Sequence, residues 1–170
     1  MDLKSKIREI PNFPKEGILF YDITTLLKDA EAYQKVIAKL ADFYRDEGIQ
    51  KVIAIESRGF ILGAPLAYLL KAGFVPVRKT GKLPSEVYEV KYSLEYGSNT
   101  LAIHKDAIAL GERVLVVDDL LATGGTICAT VDLIQKLGGA IVGIAFLIEL
   151  LELRGRDKLK GYPVLSLMSY

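Results

Sequence analysis

With 170 residues, 51% of them apolar, the chain is long enough for one domain whose folding buries roughly 70% of the unfolded surface. Its 22 basic and 21 acidic residues leave a formal net charge of +1, which excludes a whole-molecule field drawing it to nucleic acid or to an anionic membrane, so any phosphate binding has to be local. A single cysteine, Cys128, rules out an internal disulfide. No apolar run approaches the roughly 20 residues that cross a bilayer, and the first residues carry no signal- or transit-peptide pattern, so a cytoplasmic protein is expected.

In chain order, Pro11, Phe13, Pro14 and Gly17 interrupt any periodic pattern and predict an irregular N-terminal cap. Tyr33, Val36, Ile37, Leu40, Ala41 and Tyr44 then fall on one helical stripe, with Gly48 as a stop. A continuous apolar run at 51–55 predicts a strand covered on both faces. Residues 60–70 predict a helix, with Pro65 tolerated only in the first turn, and 74–78 a second strand.

The stretch 79–99, bracketed by Gly81, Pro84 and Gly97, breaks the alternation of strand and helix. In it Tyr88, Val90, Tyr92, Leu94 and Tyr96 alternate with Glu89, Lys91, Ser93 and Glu95, the period of a strand with one apolar face. So long an excursion inside an α/β domain reads as a lid. Beyond it, strands at 113–117, 140–148 and 164–167 frame a helical stripe of Ile127, Val131, Ile134 and Leu137 that stops at Gly138 and Gly139, a right-handed βαβ unit. The expected fold is α/β: a Rossmann-like open, mainly parallel sheet flanked by helices, one domain over 1–170.

The chemistry concentrates in VLVVDDLLATGGT at 114–126. Thr123, Gly124, Gly125 and Thr126 can offer successive backbone N–H groups at a helix N-terminus, where the dipole favours an anion. Glycine permits close approach and the threonine hydroxyls add donors, so a phosphate monoester needs no lysine in the turn, unlike a nucleotide P-loop. Asp118 and Asp119 stand where a parallel strand gives out, the usual ligand crevice of such sheets. Their oxygens only accept hydrogen bonds, which suits a sugar diol or Mg²⁺. Helix capping by the two aspartates and an ordinary turn at the glycines are the simpler reading of either pair alone. Both pairs, between an apolar strand and a periodic helix, favour a ligand.

An apolar strand, two acidic residues and a Thr-Gly-Gly-Thr turn resemble the signature of the type I phosphoribosyltransferases. Further segments, at 13–29 (FPKEGILFYDITTLLKD), 56–60 (ESRGF), 77–84 (VRKTGKLP) and 92–97 (YSLEYG), resemble the branch of that family that uses adenine. The resemblance implies that the phosphoribosyl group of phosphoribosyl diphosphate is transferred to a purine, with Mg²⁺ held mainly through substrate oxygens and water and with Asp118 and Asp119 as candidate ligands. It implies that Ala122, Thr123, Gly124, Gly125 and Thr126 cradle the 5-phosphate while Asp118 and Asp119 face the ribose hydroxyls. Glu56, Ser57, Arg58, Arg78, Lys79 and Lys82 would meet the diphosphate, through a turn that in relatives often holds a non-proline cis peptide at the position of Glu56 and Ser57. Leu19, Phe20 and Tyr21 would border adenine within a hood over about 1–30; arginine is commoner than Tyr21 in the branch, and Asp commoner than Glu56. In the lid, over about 79–99, Glu95 would act at the purine N7 and Tyr96 would hold the lid closed. A homodimer is implied as well. Another purine as acceptor, and a non-catalytic sensor of phosphoribosyl diphosphate, remain the alternatives. His104 has no motif around it and reads as surface or structural, and Cys128, on a helix, as packing.

Overall fold

A computed structural model describes residues 2–94 and 97–170, which form two compact units, one up to Lys39 and one from Leu40 to Tyr170. In the first unit, β1 (Arg8–Pro11) and β2 (Leu19–Asp22) make an antiparallel ribbon with Ile10 opposite Phe20. The expected irregular cap is therefore a hairpin. Both strands of a two-stranded ribbon are edges, so Pro11 can end β1 without a missing ladder bond, and Pro14 lies in the loop behind a cis Phe13–Pro14 bond. A short helix, α1 (Thr24–Leu27), follows; Asp29 then opens α2 (Ala30–Tyr44), its carboxylate accepting the Ala32 N–H at 3.1 Å and pairing with Lys6 at 2.6 Å. Val36, Ile37, Leu40, Ala41 and Tyr44 bury the stripe read from the sequence, while Tyr33 stays half-buried.

The second unit adds β3 (Lys51–Ile55), α3 (Arg58–Leu70), β4 (Gly73–Lys79), β5 (Val87–Leu94), β6 (Gly97–His104), β7 (Arg113–Leu121), α4 (Gly125–Leu137), β8 (Ala140–Glu149) and β9 (Val164–Ser169). These strands form an open sheet in the order β5-β6-β4-β3-β7-β8-β9. β3, β4, β7, β8 and β9 run parallel, and β6 and β5 add an antiparallel edge. The apolar runs at 51–55, 114–117 and 143–148 are buried throughout apart from Lys51, as a sheet covered on both faces requires.

α3 starts two residues before the expected 60 and carries Pro65 in its interior. Packing outweighs the lost backbone donor: Leu62, Leu66 and Ala67 are buried, and a Cβ at Gly63 would lie only 2.6 Å from the Ala54 Cβ, so α3 sits directly on β3. β6 is not readable as a strand from its own residues, because its first four are Gly, Ser, Asn and Thr and its apolar run, Leu101 to Ile103, is only three residues long. All three are buried, because β6 lies between β5 and β4.

α3 leads from β3 to its neighbour β4, and α4 leads from β7 to its neighbour β8 on the other side. The winding reverses between β3 and β7, the switch point at which open α/β sheets bind ligands. β7 also outruns β3. Its register with β3 stops at Val117 opposite Ala54, whereas its register with β8 continues to Leu121 opposite Glu149. A notch in the sheet results, floored on one side by residues 118–121.

On β8 the pairing with β7 skips Val142, and a Cβ at Gly143 would fall 2.8 Å from Cε1 of Tyr44. Tyr44 is buried, and burial followed by the Glu47 charge pushes its phenol up to about 12. Gly143→Val should overpack this contact and lower stability by about 1–3 kcal/mol, read as a lower urea midpoint with an unchanged slope. No helix among the described residues is long and apolar enough to cross a membrane.

Candidate active site

At the notch lies a cavity of about 280 Å³. Glu56, Ser57 and Arg58 line it from the β3–α3 turn, Lys79 from the end of β4, Asp118 and Asp119 from β7, and Ala122 to Thr126 from the turn into α4. Residues far apart in sequence thus meet because β3 and β7 are adjacent, parallel and unequal in length.

Two helices begin at this cavity. Ser57 precedes α3 and Gly124 precedes α4, and neither helix start is closed by a side-chain cap. Helix N-termini without caps leave backbone N–H groups and the positive end of the dipole for an anion. Gly124 has φ +87°, a left-handed conformation that swings the chain from β7 into α4. The Glu56–Ser57 peptide is cis, as the resemblance leads one to expect.

The carboxylates are unlike each other. Asp119 is 5% exposed and its Oδ2 pairs with Arg58 Nε at 2.8 Å. Asp118 accepts the Asp119 N–H at 2.9 Å, and its Oδ1 is so close to α3 that a Cβ on Gly59 would lie 2.9 Å from it. Burial first, and then the charge of Asp119, hold the Asp118 carboxyl well above its ordinary range. These aspartates are on β7 itself, not beyond its end as expected from the apolar run; the strand continues through them because β8 continues beside it.

Arg78 and Lys82 are not among the described residues lining the cavity. Arg78 Nε faces Glu56 at 3.5 Å, and Glu56 in turn accepts the Lys79 N–H at 2.6 Å. Lys82 is exposed in the turn after β4. Leu19, Phe20 and Tyr21 form the start of β2 in the first unit, where the Phe20 ring meets Phe13 edge to face at 5.1 Å between centroids. Glu95 and Tyr96 lie outside the described residues. His104 accepts a 3.4 Å bond from the Ser85 N–H, and Cys128 packs against the core from α4.

Tyr92 was not singled out as a site residue from the sequence. It lines the cavity from β5, packs with Val90 on the core, and its phenol oxygen accepts the Thr126 hydroxyl at 3.4 Å. Its place on the apolar parity of that strand and at the head of the YSLEYG segment are the signals that point to it.

No group of three or more His, Cys, Asp or Glu among the described residues could hold a metal ion. The donor set at the notch, two aspartates with one already paired to Arg58, fits a hydrated Mg²⁺ carried by an anionic ligand rather than a protein cage.

Residues 23–166 match the family model described as phosphoribosyl transferase domain. Adenine phosphoribosyltransferase of Halothermothrix orenii is 56% identical over 168 residues, covering 99% of each chain. The crystal structure of adenine phosphoribosyltransferase from Thermoanaerobacter pseudethanolicus superposes with a TM-score of 0.95 at 54% identity, covering 99% of this chain and 98% of the other. That of the Giardia lamblia enzyme complexed with 9-deazaadenine does so with 0.94 at 38%, covering 99% and 96%.

Proposed function

Since the chain belongs to the phosphoribosyl transferase family, we propose that it transfers the phosphoribosyl group of phosphoribosyl diphosphate to adenine, giving AMP and diphosphate in purine salvage. One observation carries the reading: the uncapped start of α4, with its glycine pair, opens into the same cavity as Asp118 and Asp119. An anion seat beside paired acceptors suits a phosphorylated sugar with a vicinal diol. Full-length relatives that carry the adenine name, and a relative solved with an adenine analogue, favour adenine as the acceptor.

In this reading the turn 122–126 holds the 5-phosphate by main-chain N–H groups and the hydroxyls of Thr123 and Thr126. Asp118 and Asp119 accept from the 2- and 3-hydroxyls of the ribose. Ser57 and Arg58 at the start of α3, with Lys79, bind the diphosphate, and Arg58 also orients Asp119 through their 2.8 Å pair. Arg78 acts through Glu56, which fixes the Lys79 backbone; Lys82 reaches the diphosphate from its exposed turn. As the bond from C1 to diphosphate breaks, positive charge grows on the ribose near the carboxylates and negative charge on the leaving oxygens near the cations and helix start. Mg²⁺, held by substrate oxygens and water with Asp118 and Asp119 as the protein's donors, supplies Lewis-acid stabilisation of the leaving group when bound.

Leu19, Phe20 and Tyr21 border the purine, Glu95 manages the proton at N7 while N9 attacks C1, and Tyr96 closes the lid over 79–99 against water. Glu95→Gln should lower kcat and leave the Kd of phosphoribosyl diphosphate unchanged; single-turnover rates equal to wild type would remove Glu95 from the chemistry. The setting is cytoplasmic, which suits the unpaired Cys128, and the assembly a homodimer. Ile61, Tyr68 and Leu69 on one face of α3, Tyr68 84% exposed, support a covered face in the assembly. Incubation with labelled adenine, phosphoribosyl diphosphate and Mg²⁺ should yield labelled AMP. Turnover only with hypoxanthine or guanine would reassign the acceptor, and binding of phosphoribosyl diphosphate without any turnover would make the protein a sensor.

A further inference from the structure

Against the glycine turn, and not among the described residues lining the cavity, stands a short 3-10 turn, Gly155–Leu159, to which the proposed reaction gives no part. Gly155 is buried, and its φ is not in the left-handed range, so its backbone conformation does not demand glycine. Space does. A Cβ at 155 would lie 2.3 Å from the Ala122 carbonyl oxygen, 2.9 Å from the Leu121 Cδ1 and 3.1 Å from the Gly124 nitrogen. Seen from the other side, a Cβ at Gly124 would lie 2.9 Å from the Gly155 carbonyl oxygen. The main chain of one turn rests directly on the main chain of the other.

The 3-10 turn is itself anchored. Arg156 Nε donates to Glu149 Oε1 at 2.9 Å, the guanidinium also grips Glu149 Oε2, and a third bond runs to the Val164 carbonyl at 2.9 Å. The Ser166 hydroxyl donates to Glu149 Oε2 at 2.8 Å. Glu149 is 5% exposed and closes β8, directly opposite Leu121 on β7. Its carboxyl is held below the ordinary range by the Arg156 bond, so the pair is ionised across the neutral range. A bidentate fork of this kind fixes direction as well as distance.

We propose that Gly155 and the Glu149–Arg156 clamp are positioning elements that set the shape of the turn 122–126, and with it the affinity for the sugar's terminal phosphate. The clamp fixes Arg156 to the last residue of β8 and the first of β9; Gly155 beside it then presses on Ala122 and Gly124, so the amides of that turn are backed by a rigid surface. This rests on the reading of that turn as the phosphate seat.

Calorimetric titration with ribose 5-phosphate, which carries the terminal phosphate but no diphosphate, tests it, with inorganic diphosphate plus Mg²⁺ as the second probe. Wild type should bind both. Gly155→Ala should weaken ribose 5-phosphate about tenfold, the effect of a displaced charge-assisted contact, while changing diphosphate affinity by less than about twofold. Arg156→Lys keeps the charge but loses the fork, and should show the same selectivity at about threefold; it carries the test if Gly155→Ala does not fold. Unchanged ribose 5-phosphate binding in a folded Gly155→Ala or in Arg156→Lys overturns the positioning role. Equal weakening of both probes overturns it too, as general loosening. Failure of wild type to bind ribose 5-phosphate instead overturns the phosphate seat, and the role of its backing with it.

Discussion

Gly124→Val should lower kcat/KM for phosphoribosyl diphosphate about 100-fold, a loss typical of reactive groups displaced by roughly an ångström, with the domain still folded. Gly124 sits at φ +87°, where a β-branched residue is strained by about 1–2 kcal/mol. Its new Cβ would also lie 2.9 Å from the Gly155 carbonyl, a backbone atom that cannot swing aside. Both effects displace the turn and misdirect its N–H groups. The steric demand is particular to 124: a Cβ at Gly125 would make ordinary protein contact, 3.5 Å to Tyr92 and 3.7 Å to the Ser93 oxygen, and φ there is not left-handed. Steady-state kinetics with each substrate varied, beside thermal melts, give the readout. A Gly124→Val enzyme with normal kcat/KM for the sugar diphosphate would mean that the phosphate is bound elsewhere.

Asp118→Asn should act in opposite directions on stability and on activity. The folded protein holds a proton on Asp118 more tightly than the unfolded chain does, because burial and the adjacent Asp119 disfavour its charge. From the ordinary value near 3.8 up to the raised one, stability therefore falls as pH rises, so at neutral pH, where the unfolded chain's carboxylate is ionised, Asp118 is a load on the fold. An asparagine can still accept the Asp119 N–H and brings no charge. Its melting temperature at pH 7.5 should exceed that of wild type by about 2–4 °C for each kcal/mol relieved, and the difference should vanish below the ordinary carboxylate range. Activity should move the other way, with kcat/KM down about 10- to 100-fold, since charge-assisted hydrogen bonds to the ribose hydroxyls are worth about 1.5–3 kcal/mol. Calorimetry at several pH values checks the first half; a lower melting temperature at pH 7.5 would refute the account of Asp118 as a charge held against its surroundings.

Where a run of residues carried its own reason for its conformation, the sequence was enough. KVIAI at Lys51–Ile55 is apolar apart from its first residue, and β3 has those ends; the stripe from Ile127 to Leu137 stops at Gly138, which takes φ +76° as the C-cap of α4. The turn 122–126 was legible because the glycines and the carboxylates are neighbours in the chain. Partners made through space were not. β7 extends through Asp118 and Asp119 because β8 lies alongside, and nothing between 118 and 121 announces it. Arg78 and Lys79 looked alike as basic residues, but successive strand residues point to opposite faces, and only Lys79 lines the cavity. Gly155 stands in an unremarkable polar stretch, and its need for glycine exists only because another turn is pressed against it.

β5 forms one margin of the seven-stranded sheet, and a margin of this kind is where a foreign chain can add itself and start an aggregate. Its alternation discourages that: Glu89 and Lys91 place opposite charges along it, and the Lys136 ammonium occupies the Glu89 carbonyl at 3.3 Å. Along this margin the fold itself therefore guards against sheet-to-sheet pairing, in part through a lysine on the neighbouring helix.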